Sequence, residues 1–306
     1  MFSVRRCSLR NLSRNLAAAP DPKQRTSLEN ILQSLDESQT VVDLGCGLGS
    51  FHYEAYRCRI LAIDLSFRAE KLNRENSRLQ YLQADSAEIP LASNAVDAVI
   101  CNHTLEHFPQ YRNTLREIGR ILNSKGMLWI SVPNGYGFDD SLYRLVFEGG
   151  GHVNRFTRAG LVKDVEAETG LKLLQSIDLY SSFVYLKRPS REEYVHDPRT
   201  ARPPGHVPES VNTLALLGIN ATTRLVDKLA GSRISQYGWG FVFARPGVEL
   251  NELRSYFNVC LNCGSGNDAE ILKHQVRIKK VLGFSMYSCM RCGEQNIFIE
   301  PPPGIH

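Results

Sequence analysis

Three glycines at alternating positions follow an acidic residue in the segment VVDLGCGLGS, which carries the strongest chemical signature in the sequence. Asp43 precedes Gly45, Gly47 and Gly49. Glycine lets a backbone approach a ligand closely because it has no side chain. A helix that begins after the loop would also offer unpaired N–H groups at its start. The segment therefore predicts a loop that holds a nucleotide-like cofactor.

Two classes of cofactor compete for such a loop, and the glycine spacing separates them. Dinucleotide folds use G-x-G-x-x-G and seat a pyrophosphate at the start of the helix. This chain instead has G-x-G-x-G followed by Ser50. A carboxylate at Asp43 is unfavourable beside a pyrophosphate, but it suits the cationic, amine-bearing methionine part of S-adenosylmethionine (SAM). Spacing and charge together favour SAM over NAD.

Three more predicted strands end in polar residues that can contact the same ligand. Asp64 lies nineteen residues after the first glycine, where a carboxylate can accept both ribose hydroxyls. Asp85, with Ser86 after it, can accept the adenine amino group. Asn102 and His103 follow the next strand. Because ligands of open α/β sheets bind outside the carboxyl ends of the strands, we expect these residues at one edge.

The elements that position these residues alternate along the chain from about residue 40. Short apolar segments predict strands at 40–45, 59–64, 79–85, 95–102, 126–133, 171–182 and 238–246. The segment 111–123 has its apolar residues on one helical face. A further helix at 157–170 has Thr157 as a candidate N-cap and Gly170 as its stop signal. The alternation is typical of right-handed βαβ crossovers and a mostly parallel sheet.

From about residue 40 to 135 the sequence resembles the core of the class I SAM-dependent methyltransferases. Within them it is most similar to the methyltransferase type 11 group, which includes the quinone C-methyltransferases. The resemblance is carried by VVDLGCGLG, AIDLS, LQADSAEIPLASNAVDAVICNHTLEHF, LREIGRILNSKG and GMLWISVPN, and more weakly by GHVNRFTRAGLVKDVEAETGLKLL. It implies a Rossmann-like α/β fold with a seven-stranded sheet whose last strand is antiparallel. It also implies cofactor contacts from Asp43, Gly45, Cys46, Gly47, Gly49, Asp64, Leu65, Asp85, Ser86, Asn102 and His103.

Candidate catalytic groups follow the fourth and fifth predicted strands. SAM carries an activated methyl group, so the protein mainly aligns the nucleophile and excludes water. A base is needed only where the acceptor must lose a proton. Glu106 and His107 in HTLEHF and His152 in HVNRFT are the candidates, and each could instead have a purely structural role. The sequence shows no obvious carboxylate cluster of the kind that a metal-dependent catechol enzyme needs.

Four of the eight cysteines form two C-x-x-C pairs near the C-terminus, and each pair is followed by glycine. Such pairs, about 25 residues apart, can supply four thiolates to one tetrahedral zinc ion. The ligands would be Cys260, Cys263, Cys289 and Cys292. The pattern resembles a zinc ribbon, whose closed site stabilises a fold rather than catalyses a reaction. Redox dithiols are the alternative.

Composition narrows the class of protein. A net charge of +4 is weak for a dedicated nucleic-acid binder, and no apolar segment reaches the roughly 18 residues that cross a bilayer. The first 20 residues contain four arginines and no acid, which resembles a mitochondrial transit peptide. A basic leader on a cytoplasmic protein is the favoured interpretation, and the cysteine usage fits a reducing compartment.

These features predict three parts of the chain. They are a basic leader and helix at 1–39, a methyltransferase domain at 40–246 with a helical insertion at about 190–236, and a zinc ribbon at 247–306. We expect methyl transfer from SAM to a small-molecule or lipid-like acceptor. Two alternatives stay open: an RNA- or protein-directed enzyme that docks through the ribbon, and an inactive SAM-fold binding protein. The methylated atom and the oligomeric state are not predicted.

Overall fold

The computed structural model describes residues 26–47, 49–66, 77–147, 149, 151–186, 213–274 and 278–305. The basic leader up to residue 25 and the first part of the predicted insertion, up to residue 212, lie outside the described residues. Across the described part of the chain, no helix has the length and apolar character needed to cross a membrane.

A seven-stranded sheet forms the centre of the described structure. Its strands are β1 (Thr40–Leu44), β2 (Arg59–Asp64), β3 (Leu79–Gln83), β4 (Val96–Asn102), β5 (Leu122–Pro133), β6 (Lys172–Tyr180) and β7 (Gln236–Ala244). Their order is β3-β2-β1-β4-β5-β7-β6. Strands β1 to β5 are parallel, whereas β7 runs antiparallel between β5 and β6. The predicted α/β sheet with an antiparallel last strand is confirmed.

Helices cover both faces of this sheet. They are α1 (Ser27–Gln33), α2 (Tyr111–Ile121), α3 (Phe138–Val146), α4 (Arg158–Thr169) and α5 (Thr213–Ala230). Successive side chains of a strand point to opposite faces. Val42 accordingly packs in a core with residues of α2 and α4, while its neighbour Val41 packs with residues of α1 on the other face. Because both faces of the central strands are buried, most of their residues are apolar.

The ends of α4 confirm the predicted helix signals. The Thr157 hydroxyl accepts a hydrogen bond from the Gly160 N–H at 3.1 Å, and Gly170 ends the helix with a φ of 68°. Helix α2 ends at Ile121, two residues before the predicted end. Leu122 already has extended backbone angles and begins β5, so β5 starts earlier than residue 126.

The prediction of an α-helix directly after the glycine loop is wrong. Residues 45–58 connect β1 to β2, and the helical part among the described residues of this connection is one 3₁₀ turn, Tyr53–Ala55. The Phe51 ring packs edge-on against the rings of Tyr53 and Tyr56 in this connection. The loop is therefore held by side chains and not by the start of an α-helix.

Beyond β7 the chain forms two small sheets and one short helix. The pair β8 (Asn258–Val259) and β9 (Gly266–Asn267) makes the first sheet, and β10 (Lys279–Val281), β11 (Phe284–Ser288) and β12 (Gln295–Ile297) make the second. Helix α6 (Ala269–His274) lies between them in sequence. Leu261, Leu272 and Tyr287 are buried in this region.

Candidate active site and cysteine centre

The glycine loop has one packed side and one open side. Gly45, Gly47 and Gly49 have φ angles of 67°, 49° and 113°, a region that glycine adopts without a steric penalty. A Cβ atom on Gly45 would lie 2.9 Å from the Thr104 side chain, so the segment after β4 packs directly on the loop. A Cβ atom on Gly47 would meet nothing within 4 Å. This open face offers backbone to a ligand.

Asp43 ties the end of the loop to the sheet. Its fully buried carboxylate accepts hydrogen bonds from the Ser50 N–H at 2.9 Å, the Ser50 hydroxyl at 2.6 Å and the Tyr53 hydroxyl at 2.5 Å. Burial, reinforced by the Asp43 charge, raises the pKa of Tyr53 above its ordinary value. Tyr53 therefore stays a donor. A ligand amine at Asp43 would share the carboxylate with these donors.

Asp64 joins the end of β2 to the open face of the loop. Its carboxylate accepts the Gly47 N–H at 2.7 Å and the Ser66 N–H at 3.2 Å. The next residue, Leu65, is 68% exposed. Cys46 is buried beneath the loop, and its N–H donates to the Ile63 carbonyl at 3.1 Å. Asp64 thus lies where a vicinal diol, such as a ribose, would meet a carboxylate beside glycine backbone.

The remaining predicted cofactor residues differ in which way their side chains face. Asp85 is exposed, and its carboxylate accepts a local hydrogen bond from the Ala87 N–H at 2.8 Å. The Ser86 hydroxyl lies 2.9 Å from the Thr114 hydroxyl on α2. The Asn102 side chain accepts the Ser131 hydroxyl at 2.6 Å. Asp85 can therefore turn to a ligand, while Ser86 and Asn102 would offer backbone.

The three candidate catalytic side chains meet at the same edge, although they come from two separate segments. Glu106 and His107 lie in the 3₁₀ turn after β4, and His152 lies in the loop before α4. One nitrogen or oxygen atom from each lies within 4.8 Å of the others. The backbone joins the segments, because the N–H groups of Val153 and Asn154 donate to the Glu106 carbonyl at 2.9 and 3.0 Å.

Glu106 is an acid in a nearly dry environment. It is 1% exposed, and its Oε2 has no hydrogen-bond partner among the described residues. Burial raises the pKa of Glu106 to about 8. Oε1 lies 3.8 Å from Nδ1 of His103, whose Nε2 is 3.1 Å from the Tyr237 hydroxyl. Burial and the neighbouring imidazoles lower the pKa of His103 to about 4. Burial therefore disfavours the charged form of both side chains.

His152 is fixed by a buried aspartate that the sequence analysis missed. Its Nδ1 lies 2.8 Å from Oδ1 of Asp140, which is fully buried and also accepts the Arg144 Nε–H. The Tyr143 ring stacks on the imidazole with centroids 4.9 Å apart. Hydrogen bonding by one ring nitrogen sets the tautomer of a histidine, so His152 presents Nε2 to its surroundings. The sequence signal that could have located this aspartate was the i, i+4 pair of Asp140 and Arg144. The pair lies on α3, a helix that the sequence analysis did not predict.

A family of known proteins matches the part of the chain that contains the glycine loop. Residues 42–130, from the middle of β1 to β5, match the family model described as the methyltransferase domain. They include the whole glycine loop, Asp64, Asp85 and the turn with Glu106 and His107. Residues 42–130 form a methyltransferase domain. The predicted resemblance is therefore confirmed for this part of the chain.

Two curated relatives match this chain over 101 and 122 residues. A Mycobacterium tuberculosis protein named as a probable S-adenosylmethionine-dependent methyltransferase is 31% identical over 32% of this chain and 36% of its own. Trans-aconitate 2-methyltransferase of Azoarcus sp. is 34% identical over 37% of this chain and 46% of its own. The chain thus spans less than half of either relative. A solved Anabaena variabilis protein, described as a methyltransferase of an antibiotic biosynthesis pathway, is 14% identical, with a TM-score of 0.48 over 75% of this chain and 99% of its own.

The four predicted zinc ligands come together outside the methyltransferase domain. The sulfur atoms of Cys260, Cys263, Cys289 and Cys292 all lie within 4.8 Å of one another, and none is in a disulfide. The two knuckles have the same backbone bonds: the Gly264 N–H donates to the Cys260 carbonyl and the Gly293 N–H to the Cys289 carbonyl. Both glycines have positive φ angles, 70° and 77°. Four soft ligands in this arrangement fit a tetrahedral zinc ion.

A buried arginine connects the cysteine region to the sheet that contains the methyltransferase domain. Arg224 on α5 is 3% exposed, and burial lowers its pKa to about 10. Its guanidinium donates to the Phe257 carbonyl at 2.6 Å, the Ser181 carbonyl at 2.7 Å and the Asn220 side chain at 2.7 Å. Helix α5, the end of β6 and the start of the cysteine region are thereby held by one side chain.

Proposed function

We propose that the protein transfers the methyl group of SAM to a small-molecule or lipid-like acceptor bound at the carboxyl edge of the sheet. The observation that carries the proposal is the open glycine face at Gly47 beside the carboxylate of Asp64, on the same edge as Glu106, His107 and His152. In the proposal, the cofactor and the candidate proton acceptors therefore share one edge of the sheet, as a transfer reaction requires.

The residues of the loop fit SAM. The cofactor supplies a methyl group on a positively charged sulfur, so the protein has to orient the two reactants and exclude water. In the proposal, the glycine backbone cradles the cofactor, Asp64 accepts its ribose hydroxyls, Asp43 accepts its amine and Asp85 accepts its adenine amino group. Leu65, Asn102 and His103 contribute backbone contacts.

We infer that the acceptor is a group that loses a proton. Glu106, His107 and His152 lie together, and Asp140 holds the proton of His152 on Nδ1. Such groups assist a reaction when the nucleophile is a weak acid. A small acceptor is supported by the name of one relative, trans-aconitate 2-methyltransferase.

The four cysteines are proposed as a structural zinc site in a ribbon that occupies residues 247–306. Three features support it: the four-thiolate donor set, the two matching knuckles and the absence of an open ligand position in such a set. Asn262 and Asn296 donate N–H groups toward Cys260 at 3.4 and 3.6 Å. Reduced cysteines fit the proposed cytoplasmic location.

Calorimetric titration with SAM tests the proposal. We expect wild-type protein to bind SAM and Asp64→Asn to bind it at least 10-fold more weakly, because the neutral amide is a poorer acceptor for ribose hydroxyls. Glu37→Gln is the matched control, since Glu37 is exposed in the loop before β1 at the other edge of the sheet. Equal SAM affinity in all three proteins would contradict the proposed site.

A further inference from the structure

We propose that Glu106, His107 and His152 form a second metal site, which binds a divalent first-row transition-metal ion and is separate from the cysteine centre. The sequence does not suggest it, because the three residues come from two distant segments and include one carboxylate. The fold brings one donor atom of each within 4.8 Å of the others.

The donor set defines the class of ion. Two imidazoles and one carboxylate are the ligands of zinc, iron, manganese and cobalt sites, whereas magnesium and calcium favour oxygen ligands alone. Three protein ligands also leave coordination positions open, which distinguishes reactive sites from closed structural ones. His107 is exposed and His152 is partly exposed, so an ion between them would face the cleft.

Both histidines are held by the same ring nitrogen. His152 Nδ1 contacts Asp140 at 2.8 Å, and His107 Nδ1 contacts the carbonyl of Gly151 at 2.9 Å. A carboxylate or carbonyl that binds one nitrogen of an imidazole is the usual outer contact of a metal-ligating histidine, because it fixes the tautomer and the ring orientation. Nε2 of each ring is then the ligating atom.

The surroundings of Glu106 also favour a cation. Its side chain is 1% exposed, and Oε2 has no hydrogen-bond partner among the residues that the structure describes. A buried carboxyl group without a partner is costly, and buried charges in proteins are paired or coordinate metals. Arg144, the cation on α3, is half-buried and is bonded to Asp140 and to the carbonyls of His152 and Asn154. An ion in the cluster would give Oε2 its partner.

The chemical consequence concerns the acceptor. An open coordination position would take an oxygen atom of the acceptor and lower the pKa of its hydroxyl group, as transition metals do for bound water. This consequence rests on the proposed function, whereas the binding of the ion does not.

Metal counting in the full-length protein tests the site. Protein that carries one zinc per chain, in the cysteine centre, is dialysed against cobalt(II), and zinc and cobalt are counted by mass spectrometry. We expect one cobalt per chain while zinc stays in the cysteine centre, and no thiolate-to-cobalt charge-transfer absorption. Glu106→Gln and His152→Gln should abolish stoichiometric cobalt binding. Asp140→Asn should weaken it by about 10- to 100-fold, the range for outer contacts.

His274→Gln is the matched control, since His274 is an exposed histidine on α6 beside Glu270. It should bind cobalt as the wild type does. Circular dichroism spectra establish whether each variant is folded. If a histidine variant does not fold, the near-isosteric Glu106→Gln still tests the site. Cobalt that only replaces zinc, or equal binding by Glu106→Gln and His274→Gln, would overturn the proposal.

Discussion

The methyl-transfer cleft and the cysteine centre are built in opposite ways. The cleft takes its groups from the ends of β1, β2, β3 and β4 and from the loop before α4, so its geometry depends on the whole sheet. The cysteine centre takes all of its ligands from two short knuckles with matching backbone bonds. We therefore expect the cleft to tolerate changes in the ribbon, whereas the ribbon should depend on its own four cysteine side chains.

Loss of one thiolate should give the largest effect. Cys289→Ser is expected to release zinc and unfold the ribbon, because zinc binding supplies most of the folding energy of such small domains. SAM affinity should remain near the wild-type value. Zinc content, together with SAM titration, measures both expectations. Cys58→Ser is the control: it changes another buried cysteine outside the centre and should retain zinc. Loss of SAM binding in Cys289→Ser would show that the cleft and the cysteine centre are not independent.

The arginine between the two regions should have the next largest effect. Arg224→Met would leave the Phe257 and Ser181 carbonyls without their donor, at a cost of about 1–3 kcal/mol for each buried group. We expect a lower melting temperature for the ribbon with zinc still bound. Arg233→Met, an exposed change nearby, should leave the melting temperature unaltered. Identical melting curves for the two variants would mean that Arg224 does not join the regions.

The open face of the glycine loop should respond to a single methyl group. Gly47→Ala places a Cβ atom at a φ of 49°, which costs roughly 1–2 kcal/mol for an L-residue, and puts it where the cofactor would lie. We expect weaker SAM binding by calorimetry. Gly231→Ala has a similar φ of 64° and equally open space around its Cβ position. Gly231→Ala should lose comparable stability but keep its SAM affinity. Equal losses of SAM affinity in the two variants would count against the loop as the cofactor site.

The smallest effect is expected at Ser86. Its hydroxyl contacts Thr114 at 2.9 Å, so Ser86→Ala should cost about 1 kcal/mol of stability and leave SAM affinity unchanged. Chemical denaturation and SAM titration provide the two values. Asp85→Asn, one residue earlier, should weaken SAM binding without loss of stability. The reverse pattern would show that the serine hydroxyl turns toward the cofactor.

The sequence predicted the strands and the cysteine cluster well because both depend on local patterns. Apolar segments bounded by polar ends locate strands that are buried on both faces, and C-x-x-C spacing specifies a knuckle. The helix after the glycine loop was wrong, since three packed aromatic rings replaced it with a 3₁₀ turn in a short connection. Asp140 was missed because its partner, His152, approaches it only when α3 folds back against the following loop. Contacts of this kind are set by packing and leave little periodic signal.

The most direct test of the central claim is calorimetric titration of the wild-type protein with SAM and, separately, with NADH. The glycine spacing, the open face at Gly47 and the carboxylate of Asp64 predict saturable binding of SAM and none of NADH. Binding of NADH, or the absence of SAM binding by folded, zinc-loaded protein, would contradict the assignment of the cleft to methyl transfer.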